Sequence, residues 1–136
     1  MTDAELVGKK LAFIETCVRE LRQLGNPDRI AEDVREQRFV EHTLQIAVQA
    51  ALDVASHIVS DERLGEPRTN DELFDLLAKG GYLPKDLTET MGAMARFRNI
   101  VVHGYQIVDL NIVKNIVEDR LDDLLSFVKA IRDRVK

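Results

Sequence analysis

Tryptophan is absent from the 136 residues, aromatics together make up 5%, and there are only three prolines, seven glycines and one cysteine. Scarce aromatics and turn formers weigh against a β-rich fold, and 45% hydrophobic residues weigh against disorder. Cys17 alone cannot close an internal disulfide, so a packed core must supply the stability and a reducing cytoplasm suits the chain. No apolar run approaches the roughly 18 residues of a membrane span, and the opening Met1-Thr2-Asp3-Ala4-Glu5 lacks the basic and apolar regions of a secretion signal. We therefore expect a cytoplasmic protein with no membrane partner. Positive charge is also short: 19 basic against 24 acidic residues give −5, which disfavours broad attraction to nucleic acid. Any such contact must be local, or shared with another subunit.

What is present is helical periodicity over a length that suits one domain, residues 1–136. Leu6, Leu11, Ile14, Val18 and Leu21 predict a helix over 3–24, started by a Thr2/Glu5 capping box and stopped by Gly25, with Cys17 as core filler. Asn26-Pro27 reads as the restart of a second, long helix that bends near Arg35 and runs to Gly65-Glu66-Pro67. Its alanines, Ala47, Ala50, Ala51 and Ala55, allow another helix to approach closely, within the chain or from a second copy. Asn70-Asp71-Glu72 caps a short helix that Gly80-Gly81 ends, and Leu83-Pro84 opens a fourth that reaches Gly104. Asp109 caps a last helix with the stripe Val113, Val117, Leu121, Leu124, Val128 and Ile131. The expected fold is an all-α bundle of about five helices.

Chemistry concentrates in Arg96-Phe97-Arg98-Asn99-Ile100-Val101-Val102-His103-Gly104-Tyr105. Histidine changes charge near neutral pH, while arginine stays charged and grips phosphate in two places. An RNA strand carries its own nucleophile, the 2′-hydroxyl, so its cleavage needs a base, an acid and a cation, and neither a metal nor a cofactor. His103 suits the proton transfer, Arg98 the stabilisation of charge on phosphate, and Asn99 the orientation of either partner or the substrate. Five residues along an ideal helix turn by 500°, which leaves Arg98 and His103 roughly 140° apart. They converge if the last turn unwinds toward Gly104, if the arginine's length closes the gap, or if a two-fold partner supplies the opposite group. Local pattern alone also fits a plain helix end, with Arg98 and His103 answering the helix dipole and Tyr105 packing across it.

Other polar residues carry less. His42 and His57 lie fifteen residues apart, too far for a helical zinc pair, and read as surface or interface histidines. Glu118, Asp119, Asp122 and Asp123 form an acidic face read as solvated. Arg96 serves either an RNA phosphate or a neighbouring carboxylate, and Arg35 and Arg38 either a shared cleft or plain surface.

From Arg35 to the C-terminus, the string RFRNIVVHGY with VEHTLQIAVQAALDVASHIV, FDLLAKGGYLPKDLTETMGAMARFRN and VDLNIVKNIVEDRLDDLLSFVKAI resembles the HepT-like toxins of the HEPN superfamily. The pattern of arginine, polar residue, three apolar residues, histidine, any residue and tyrosine is met by Arg98, Asn99, Ile100 to Val102, His103 and Tyr105. This resemblance implies a HEPN-type helical bundle that dimerises and acts as a metal-independent endoribonuclease toxin, with Arg98 and His103 catalytic at the dimer cleft and Asn99 supporting. It also implies a nucleotidyltransferase antitoxin of the MNT type as partner, in a larger hetero-oligomer or not, which in some pairs attaches AMP to the motif tyrosine, here Tyr105. RNA, whether tRNA or mRNA, is the implied substrate, and DNA is not. The alternative is a non-catalytic HEPN subunit that binds nucleotides or recognises substrate for a nucleotidyltransferase.

Overall fold

The first helix, α1, spans Ala4–Leu24 in the computed structural model, which describes residues 2–103 and 109–135. Val7, Leu11, Ile14, Val18 and Leu21 recur every three or four residues and are all buried, so one face of α1 enters the core. Its cap is Asp3, whose carboxylate accepts from the backbone N–H groups of Glu5 and Leu6 at 3.1 Å. The expected Thr2 cap is thereby corrected: Thr2 Oγ1 instead donates to Glu62 Oε1 at 2.9 Å, across to the far end of the next helix. Aspartate, one residue closer to the first turn, satisfies the same orphan donors and adds a favourable charge there.

Asn26-Pro27 does not open the long helix. Pro27–Arg29 forms a single 3₁₀ turn, and α2 begins separately as Val34–Asp61, with Asp33 Oδ1 accepting from Arg35 N–H at 2.9 Å. The expected bend near Arg35 is thus a break closed by a new cap. Proline fixes a local turn, and the aspartate six residues on supplies the stronger helix start.

Three further elements complete the bundle: α3 (Glu72–Lys79), α4 (Lys85–His103) and a final rod in which α5 (Leu110–Asn115), a π-helical segment (Ile116–Arg120) and α6 (Leu121–Arg134) follow without a break. Asp109 caps that rod as expected, accepting from Asn111 N–H at 2.9 Å. No strand occurs among the described residues.

α2 is the central helix, touching α1, α3 and α4, while α6 packs on α1 and α4. Ala47, Ala51 and Ala55 have no exposed surface, so the alanine stripe is a seam inside the chain, where side chains of one carbon let neighbouring helices close in. The buried apolar residues form one continuous core that includes Cys17. Burial, with the charge of Glu20 second, pushes the Cys17 thiol up to about 11, so it stays protonated and inert at neutral pH. Among the described residues no helix is long and apolar enough to cross a membrane.

Candidate functional site

Met91, Met94, Ala95 and Phe97 hold the inner face of α4 in the core, which sets the directions of the residues between them. Arg98 lies seven positions after Met91 and so on the same face of α4, whereas Arg96 lies about 160° round the helix from Arg98, on the outer side. Arg98 is half-buried, whereas the Arg96 side chain is exposed and its Nη1 meets Asp71 Oδ2 at 3.1 Å. The two readings left open for Arg96 are narrowed accordingly: its partner is a carboxylate on the turn before α3.

Arg98 has a different partner. Its Nη1 donates to Asn99 Oδ1 at 3.1 Å, and the same oxygen accepts from Asn70 Nδ2 at 3.4 Å. Arg98 Nε is buried and has no acceptor among the described residues. A buried donor on a charged group without an acceptor is costly, and a ligand or a bound water is one way to satisfy it. With Nη1 oriented by Asn99, the guanidinium still carries N–H groups beyond that bond, and a charged planar donor of this kind suits phosphate.

The turn that meets α4 was legible only as a helix cap. Asp71 makes no capping bond from its side chain, and Asn70 reaches a residue 29 positions away. No local pattern could signal that, because the pairing depends on how α3 docks. A hydrogen bond from Thr69 is the main influence holding the Asp71 carboxyl below its usual value, and Arg96 adds to it against a contrary effect of burial. Since the folded value is the lower one, the Arg96–Asp71 tie is complete at neutral pH and is lost only as the pH falls through that lowered value.

α4 remains helical through His103, which closes the route by which an unwound last turn would bring His103 toward Arg98. On that helix the two positions stay roughly 140° apart. The side chain of His103, and all of Gly104 and Tyr105, lie outside the described residues. Within the motif, Ile100 and Val102 are 38% and 40% exposed, and Ile112 at the start of the final rod is 50% exposed. A groove of about 340 Å³ runs along the same rod, lined by Met94, Phe97, Ile112, Ile116 and Arg120 among others.

The residues set aside from sequence are either paired or simply exposed. His57 Nε2 accepts from Asp3 N–H at 3.0 Å and so braces the start of α1, while His42 is exposed. In the acidic face Asp122 pairs with Arg22 at 2.6 Å and Glu118 lies 3.9 Å from Lys114, while Asp119 accepts from Asn115 at 3.1 Å. Arg35 and Arg38 are exposed.

A family model described as ribonuclease HepT-like matches residues 14–131. An mRNA nuclease HepT of Shewanella oneidensis is 31% identical over 129 residues, covering 94% of this chain and 97% of that protein. A tRNA nuclease HepT of Aphanizomenon flos-aquae is 28% identical over 130 residues, covering 96% and 85%. Among solved structures, the tri-AMPylated HEPN toxin of Shewanella oneidensis in complex with its MNT antitoxin superposes with a TM-score of 0.88 at 31% identity, covering 98% of this chain and 99% of that one.

Proposed function

We propose, from the premise that the chain belongs to the ribonuclease HepT-like family, that it is a metal-independent endoribonuclease toxin and that residues 1–136 form one HEPN domain. Arg98 stabilises the negative charge that builds on the scissile phosphate, His103 transfers the proton, and Asn99 supports Arg98. The observation that carries this reading is the Arg98 guanidinium, tied by Nη1 to Asn99 and holding a buried Nε–H for which the described residues offer no acceptor.

The reaction balances without a metal or cofactor. The 2′-oxygen attacks the adjacent phosphorus as its proton passes to a base, and the bond to the 5′-oxygen breaks as that oxygen gains a proton from an acid. One strand ends in a 2′,3′-cyclic phosphate and the other in a 5′-hydroxyl. Base and acid are two roles, and a symmetric dimer supplies two copies of His103 for them at one cleft. A helix that holds Arg98 and His103 about 140° apart supports the dimer, because one chain then presents them on different faces. So do Ile100, Val102 and Ile112, apolar side chains that a second copy would cover. The acidic chain fits RNA through local contacts rather than a broad basic face.

Incubating the purified protein with RNA in excess chelator tests the reaction directly. We expect cleavage to persist and to leave 2′,3′-cyclic phosphate ends. Loss of cleavage on chelation, or 5′-phosphate products, would remove this mechanism.

A nucleotidyltransferase of the MNT type is the proposed antitoxin, acting in the cytoplasm by attaching AMP to Tyr105. The bulky, charged group would sit two residues from His103, obstruct the cleft and compete for Arg98. Intact mass after incubation with such a partner and ATP is expected to rise by AMP units on the wild type and not on Tyr105→Phe. An equal rise on both would assign the modification elsewhere.

A further inference from the structure

We infer that Asn70 is a positioning residue for the Arg98 guanidinium, acting through Asn99; the inference rests on the reading of Arg98 as the charge-stabilising group. A carboxamide has an acceptor end and a donor end, and only the acceptor end can meet two donors at once. Asn99 Oδ1 does so, accepting from Arg98 Nη1 at 3.1 Å and from Asn70 Nδ2 at 3.4 Å. Turning the amide round would set its NH₂ group against both donors and lose both bonds. Asn70 therefore holds the Asn99 carbonyl toward Arg98 from a different element of the fold, which a helix-borne asparagine cannot do for itself.

Asn70 is held in turn by its neighbour. Asp71 pairs with Arg96 at 3.1 Å, and Arg96 and Asn99 are three positions apart on α4, hence on adjoining parts of one face. Two successive residues of the turn before α3 thus grip α4 at two points, immediately beside Arg98. A chemical consequence follows for Asn99: with its oxygen filled by two donors, it can offer substrate only its Nδ2–H groups. Asn99 then meets RNA as a donor, to a phosphate oxygen or a base acceptor.

The test is a double-mutant cycle on RNA cleavage with Asn70→Ala, Asn99→Ala and the pair. Asn70 is exposed, so its replacement leaves the core untouched, and equal melting midpoints check that. We expect Asn70→Ala to lower kcat about 3- to 10-fold with KM unchanged, the size of one hydrogen bond felt in the transition state. In the Asn99→Ala background the same replacement is expected to change nothing. An unchanged kcat in Asn70→Ala, or an equal loss in both backgrounds, overturns the inference. Arg98→Ala run beside them separates the two levels. If it is inactive while Asn70→Ala matches the wild type, only the role of Asn70 fails; if it cleaves like the wild type, the assignment of Arg98 fails and this inference falls with it.

Discussion

Arg98→Ala is expected to lower RNA cleavage about 10²- to 10³-fold, the loss typical when one donor to developing negative charge is removed. The fold should survive, because Arg98 is only half-buried and its one hydrogen bond among the described residues is to the adjacent Asn99. The replacement also deletes a buried donor that lacks an acceptor among those residues, so stability is expected to hold or rise slightly. Circular dichroism and the melting midpoint read the fold, and gel-resolved cleavage reads the activity. His103→Ala should show a loss of similar or larger size, about 10²- to 10⁴-fold, as befits a proton-transfer group. If both variants cleave as well as the wild type, the catalytic assignment is wrong whatever the fold. A wild-type enzyme that is fully active as a monomer would remove the shared cleft and leave the arginine's reach as the means of convergence.

Phe127→Ala is expected to cost about 3–5 kcal/mol of stability, a fifth or more of what a domain of this size usually has. Phe127 and Phe74 have no exposed surface, and their rings meet edge to face at 5.7 Å and 86°. The pair pins α6 to α3, so truncation opens a cavity bounded by helices that cannot all collapse into it. Denaturant unfolding should show a lower midpoint at an unchanged m-value. Phe13→Ala is the control: that ring is 43% exposed, and its loss should matter far less. Equal costs at the two positions would mean that Phe127 is less enclosed than its contacts indicate. Because α3 follows directly on the turn that bears Asn70 and Asp71, a loosened Phe127 variant is also a sensitive place to look for secondary loss of activity.

The helices were legible because their apolar residues repeat every three or four positions, and that repeat is local. Val113 through Ile131 predicted the last rod, and Asp109 its cap, although nothing in the stripe announced the π-helical segment at Ile116–Arg120. Caps were less legible where two candidates stood side by side. Thr2 and Asp3 both qualify in sequence, and contacts from elsewhere decided between them: Asp3 N–H is taken by His57, and the Thr2 hydroxyl by Glu62. Likewise Asn26-Pro27 is a sound helix start, but Asp33 wins because the 3₁₀ turn carries the chain across to α2, while Glu36 of that helix accepts from Asn26 N–H.

Sequence by itself determined the class of fold, the family and the identity of Arg98, Asn99 and His103 as the residues to weigh, since helical periodicity and a short ordered motif are properties of neighbouring positions. Tertiary structure alone decided what surrounds them. The alanine stripe of α2 became an internal seam, Arg96 found Asp71, and Asn70 reached Asn99 over 29 residues of chain. Such contacts depend on the docking of α3 against α4, which is fixed by the summed packing of the core and leaves no pattern in either segment read separately.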